Sequence, residues 1–177
     1  MKGKVLITAK ECAYIAVFTA LLIASQYVLS AIPNVEVVTA LFICYAFVFG
    51  ARRAMVCATV FSLLRQLVFG FFPTVLILYV VFYNGLALAF GTLSKTRLKG
   101  VKLLVVTVLL ACVCTACFTV LDNIITPLWY GYSAKATKLY FTASLPVMVT
   151  HIISCGVGVC LLFLPLTRAF SLVKTRL

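Results

Sequence analysis

Apolar residues run along the chain in six long, nearly unbroken stretches, at about 12–31, 37–50, 54–69, 74–93, 103–125 and 141–164. Turn signals separate them: Ile32-Pro33-Asn34 after the first, Gly50-Ala51-Arg52-Arg53 after the second, Gly70-Phe71-Phe72-Pro73 after the third. A basic stretch from Lys95 to Lys102 follows the fourth, Thr126-Pro127 breaks the fifth, and Pro165 ends the sixth. The longest loop is predicted between the last two, from Thr126 to Tyr140, and it is rich in aromatics. Strands of a membrane barrel would alternate apolar and polar residues over about 10 positions. These runs do not alternate, so the pattern predicts helices. A helical span takes about 20 residues. The expectation is an all-α integral membrane protein with six transmembrane helices, a single domain over residues 1–177 with no room for a second.

Composition removes the alternatives. Of the 177 residues, 65% are hydrophobic and 10% charged, whereas soluble domains carry about 25% charged residues. Such a chain cannot give a water-soluble globule its polar coat, which excludes a cytosolic enzyme, a secreted disulfide scaffold and a disordered tail. The net charge of +12 would suit nucleic acid only on a continuous basic face. Here the Lys and Arg residues sit at the edges of apolar runs, and no nucleic-acid role is expected. Lys2, Lys4, Lys10, Arg52, Arg53, Lys95, Arg97, Lys99, Lys102, Arg168, Lys174 and Arg176 fall on one side of a six-span topology. Only Lys135 and Lys138 fall on the other, and Arg65 lies inside a span. The positive-inside rule then predicts that both termini are cytoplasmic. The apolar stretch after the basic N-terminus is too long for a signal peptide, and no Ala-x-Ala cleavage site follows it.

Polar groups inside spans are costly, and ionisable ones read as functional by default. Arg65, Gln66, Asn84, Asp122, Asn123 and His151 qualify, with Gln26 near the outer end of the first helix. At 1.5 Å rise per residue, Asn84 and His151 lie about 15 Å below the outer surface. The others are shallower, and the inner half is almost purely apolar. An outward-open cavity would look like this, lined by Arg65, Asn84, Asn123 and His151, with Tyr79 and Tyr83 along one wall and Asn34 and Trp129 near the mouth. Three readings of Arg65 stay open: snorkelling to headgroups, pairing with Asp122, and ligand contact, which would favour a carboxylate or another acceptor. His151 is open to packing or ligand contact, and Tyr79 and Tyr83 to packing or stacking. Trp129, Tyr130 and Tyr132 would serve as interfacial aromatics or as a lid, and Asn34 and Glu36 are most simply solvated.

Eight cysteines lie in or beside apolar runs, where Cys behaves as a small hydrophobe. Cys112 and Cys114 would face opposite ways on a helix, so neither a metal site nor a cofactor is expected. The first helix carries Ala13, Ala16, Ala20 and Ala24 at one-turn spacings, which would let another helix approach closely, within the bundle or outside it.

Taken with the segment Ile32-Pro33-Asn34-Val35-Glu36-Val37-Val38-Thr39 and the short helix ending in Phe49-Gly50, the chain resembles the substrate-binding S-component of energy-coupling-factor (ECF) transporters. The resemblance spans the whole length, and the paired alanines match the Ala-x-x-x-Ala docking motif of that family, at Ala16 and Ala20. It implies a high-affinity binding subunit in the prokaryotic cell membrane that captures a vitamin or related micronutrient from outside. The implied partners are a transmembrane T-component and two cytoplasmic ATPases, with toppling of the S-component delivering the ligand inward. The alternative is a stand-alone small secondary transporter or an oligomeric channel, though no inverted repeat of the usual kind is visible. An intramembrane enzyme would need an acid pair, His-Glu-x-x-His or Gly-x-Ser-x-Gly. None occurs, and no enzymatic activity is expected.

Overall fold

The computed structural model describes residues 8–31 and 37–175. Among them the chain forms six helices and no strand: α1 (Ala9–Leu29), α2 (Val37–Phe49), α3 (Ala51–Phe69), α4 (Pro73–Leu93), α5 (Gly100–Tyr130) and α6 (Ala134–Lys174). Four of them, α1, α4, α5 and α6, are long and apolar enough to cross a membrane. Helix α2 is apolar but has only 13 residues, and α3 carries Arg52, Arg53 and Arg65. Asn34 and Glu36 lie outside the described residues.

Local chemistry sets most of the boundaries. Thr8 caps α1, its side chain accepting from the Glu11 amide while the Glu11 carboxylate accepts from the Thr8 amide. This capping box satisfies two amides that the first turn leaves without helical partners. Gly50 at φ 87° is the whole connection between α2 and α3, a backbone angle that side-chain-bearing residues resist. Pro73 opens α4, where its missing N–H costs nothing. Gly131, in the left-handed conformation, ends α5.

Three predicted boundaries are corrected. The loop expected from Thr126 to Tyr140 shrinks to residues 131–133, because α5 runs through Pro127 to Tyr130 and α6 begins at Ala134. Pro165 likewise lies within α6 instead of ending it. Proline is tolerated inside apolar helices when neighbouring elements satisfy the freed carbonyls, so a lone proline there is a weak stop signal. Arg52 and Arg53, expected in a turn, belong to the first turn of α3.

Helix α2 is the hub. It packs against α1, α3, α4 and α6, and ten of its thirteen residues are buried, which is why it has no polar face. Around it, α3 pairs most extensively with α4, and α5 with α6. Between apolar helices in lipid, dispersion and close fit replace the hydrophobic effect as the source of association. Among the described glycines, Gly91 of α4 stands closest to a neighbour, directly against the backbone of Ala51.

The ends of α2 and α4 and the starts of α1, α3 and α5 gather at one end with the C-terminus of α6, as Arg53–Glu11 and Lys174 Nζ to the Val48 carbonyl (2.6 Å) demonstrate. This basic end is closed by an aromatic floor: Phe18 stacks on Tyr45 at 4.1 Å, Tyr45 on Phe49 at 4.6 Å, and Phe170 meets Phe18 edge-on at 5.5 Å. Glu11 serves both the α1 cap and the tie to Arg53. Glu11→Ala is therefore expected to lower the unfolding midpoint, mostly through loss of the reciprocal cap, since exposed ion pairs contribute little. Thermal unfolding of the detergent-purified protein checks this, and an unchanged midpoint would show that α1 starts without help from the cap.

Candidate functional site: a polar cavity between α5 and α6

The intramembrane polar residues separate into two groups. The first joins α1, α3 and α4. Arg65 Nε donates to Gln26 Oε1 at 3.2 Å, and Gln26 Nε2 donates to the Tyr79 hydroxyl at 2.8 Å. The guanidinium lies 4.4 Å from the centre of the Tyr79 ring and 4.8 Å from that of Phe69, a placement in which ring quadrupoles offset part of the cost of taking the charge out of water. Arg65 Nη1 stays buried without a hydrogen-bond partner. Gln66 accepts from the Phe72 amide at 3.2 Å and so steadies the turn between α3 and α4. Asn84 faces α3: its Nδ2 donates to the Val80 carbonyl at 2.8 Å and to Thr59 Oγ1 at 3.4 Å.

The second group lies between α5 and α6, towards the end opposite the basic one, and lines a cavity of about 290 Å³. Helix α5 contributes Phe118, Thr119 and Asp122. Helix α6 contributes Tyr140, Ala143, Ser144, Val147 and His151. The Asp122 carboxylate accepts from Thr126 Oγ1 at 2.7 Å and from the Tyr140 hydroxyl at 2.8 Å. Asn123, 4% exposed, donates through Nδ2 to Ser144 Oγ at 2.7 Å, while its Oδ1 is buried without a partner. These two bonds latch the upper part of α6 onto α5.

The suggested pairing of Arg65 with Asp122 is corrected by this geometry. Each has partners on its own side of an aromatic partition in which Tyr79 meets Phe118 edge-on at 6.2 Å and Phe82 meets it at 4.7 Å. The ion pair Arg53–Glu11 lies at the basic end, while the Asp122 carboxylate accepts from two neutral hydroxyls. Of the residues expected around a single cavity, His151 lines this one and Asn123 touches its Ser144, whereas Arg65 and Asn84 stand with the first group. Tyr79 and Tyr83 do share a face, with ring centres 5.3 Å apart, and Tyr83 is buried against Phe42 and Phe61. Trp129 is on the last turn of α5, more than half exposed, and not in a loop.

Thr119, Asp122, Tyr140 and Ser144 were not chosen as ligand residues from the sequence. A signal for them exists. The buried residues of α5 are Thr107, Ala111, Thr115, Thr119, Asn123 and Pro127, one every four positions, and all are small or polar. A stripe of that kind marks the seam where another helix packs closely, and it leads straight to the cavity.

Alanines 13, 16, 20 and 24 of α1 are all exposed, together with Val17 and Leu21. The stripe is therefore not used for packing inside the bundle. Among the described residues, no three His, Cys, Asp or Glu side chains gather as metal ligands. No family model, curated protein or solved structure matches the chain.

Proposed function

We propose that this chain is the substrate-binding subunit of an ECF-type, ATP-driven importer in a prokaryotic cell membrane. On this reading all six helices span the bilayer with both termini inside, and the basic end is cytoplasmic. The α5/α6 cavity then opens towards the outside and holds a vitamin-like micronutrient. The observation that carries the reading is the asymmetry of the bundle: a cavity with a few polar groups near one end, and an aromatic floor across the other. Such a shape suits capture from one side and leaves no path through the resting subunit. A pocket mostly apolar with a few converging polar groups is the usual small-molecule site. The exposed alanines of α1 supply a smooth face for the T-component, and the two ATPases would provide the energy, so the chain itself needs no catalytic group.

The test is retention of a small molecule. Protein purified from cells grown in rich medium is expected to carry one, identifiable by mass spectrometry after denaturation. Thr119 is buried and lines the cavity, so Thr119→Phe sends its added ring into the space the ligand would use. A ring occupying that space would exclude the ligand, so retention is expected to be lost. A retained molecule that survives Thr119→Phe in a monodisperse, folded sample would place the binding site elsewhere.

A further inference from the structure

We infer that the α5/α6 cavity selects a small, hydrogen-bond-donating cation, a protonated amine or a protonated nitrogen heterocycle, with Asp122 as its counter-ion. The inference rests on the reading of this cavity as the ligand site and adds the charge of the ligand.

Asp122 is the one acidic side chain lining the cavity, and no Lys or Arg lines it. Its two hydrogen-bond donors, Thr126 and Tyr140, are neutral. A carboxylate has about four acceptor positions, so these two leave room for more donors. The groups that would cancel its charge are elsewhere. Arg65 is held behind the Tyr79–Phe118 contact by Gln26 and two rings, and Lys135 and Lys138 are exposed in the first two turns of α6. Asn123 Oδ1, buried beside Ser144 without a partner, is a second acceptor at the same end. The Asp122 carboxylate and this amide oxygen both call for donors.

The remaining lining completes the picture. Phe118 offers a ring to a cation or a flat heterocycle. His151 stands eleven residues along α6 from Tyr140, about 16 Å at the helical rise, with apolar Ala143 and Val147 between them. The volume of about 290 Å³ is at the lower edge of the range of small-molecule pockets, about 300–1,000 Å³. A compact ring with a positive donor at one end and a heteroatom at the other fits these constraints. A carboxylate ligand would set like charges together in a partly dry site.

Three pyridines of one size and different charge test the inference: 3-(aminomethyl)pyridine as the cation, nicotinamide as the neutral analogue and nicotinate as the anion. Binding to the purified full chain in nanodiscs is measured by saturation-transfer NMR at millimolar concentration. The cation is expected to bind at least about tenfold tighter than nicotinamide, as one charge-assisted hydrogen bond would give, and nicotinate weakest. Asp122→Asn should level the preference, Asp122→Glu should keep it, and Thr119→Phe should abolish binding of all three. Tightest binding of nicotinate, or a cation preference indifferent to Asp122→Asn, would overturn the charge assignment. Loss of that binding in Thr119→Phe would still preserve the cavity as the site. Binding untouched by Thr119→Phe would overturn both, as would no binding of any probe. If Asp122→Asn fails to fold, the ranking on the wild type and on Asp122→Glu decides.

Discussion

Gly91→Ala is expected to destabilise the bundle by about 1–3 kcal/mol, the usual range for overpacking a well-fitted core, and Gly91→Leu to abolish the folded state. A Cβ at position 91 would stand 2.3 Å from the backbone nitrogen of Ala51, 2.4 Å from its Cα and 2.7 Å from its Cβ. These atoms belong to the backbone and first turn of α3 and cannot rotate aside as the tip of a long side chain can. Relief requires α3 and α4, the most extensively paired neighbours on that side of α2, to separate along their whole contact. Gly85 provides the control on the same helix, since an added Cβ there meets nothing within 4 Å. Gly85→Ala should be neutral or gain up to about 1 kcal/mol from backbone entropy alone. Thermal unfolding in detergent distinguishes the pair. Equal midpoints for Gly91→Ala and the wild type would mean that the start of α3 does not rest on α4.

On the proposed reading, Ala20→Trp should leave folding and ligand binding intact while abolishing ATP-driven uptake. Ala20 is exposed on α1, so the indole meets no neighbour within the bundle. On the proposed docking face it would hold a partner helix several ångströms away, and packing between membrane helices falls off steeply with separation. The experiment compares uptake in cells expressing the complete transporter with ligand retention by the isolated subunit. Undiminished uptake would remove α1 from the docking face. Loss of retention together with uptake would show that α1 is needed for the cavity instead.

The helices were largely legible in the sequence because their boundaries are set locally. Gly50, Gly70 and Pro73 act on their own few dihedrals, and the ends of α2, α3 and α4 follow within a few residues of the expected positions. Pro127 and Pro165 misled for the opposite reason: whether a proline ends a helix depends on what surrounds it, and α5 and α6 support each other through it. The candidate site was legible as a set of residue types, since Arg65, Asn84, Asp122, Asn123 and His151 are all conspicuous in an apolar chain. Their division was not. It depends on α5 pairing with α6 while α3 pairs with α4, and on the ring of Phe118 standing between them. Nothing in the spacing of residues 65 and 122 reveals a partition made by residues 79, 82 and 118.

Helix α6 is one continuous element of 41 residues, about 60 Å long. It reaches from Tyr140 and His151 at the cavity to Phe163 and Phe170, which meet Phe47 and Phe49 at the basic end. It is thus a beam pinned at its lower part by α2, with its upper part forming a wall of the cavity. Pro146 sits in that wall, between Ser144 and Val147. Its ring nitrogen has no hydrogen to give the Thr142 carbonyl, so the beam already lacks one of its struts at the level where the wall must yield. Bending there strains the two latches, Tyr140 to Asp122 and Asn123 to Ser144, before it disturbs any contact lower down. A bend at Pro146 falls within one turn of the residues that would meet a ligand, whereas the matching gap at Pro165 is flanked by Phe163 and Phe170, which rest on Phe47 and Phe49.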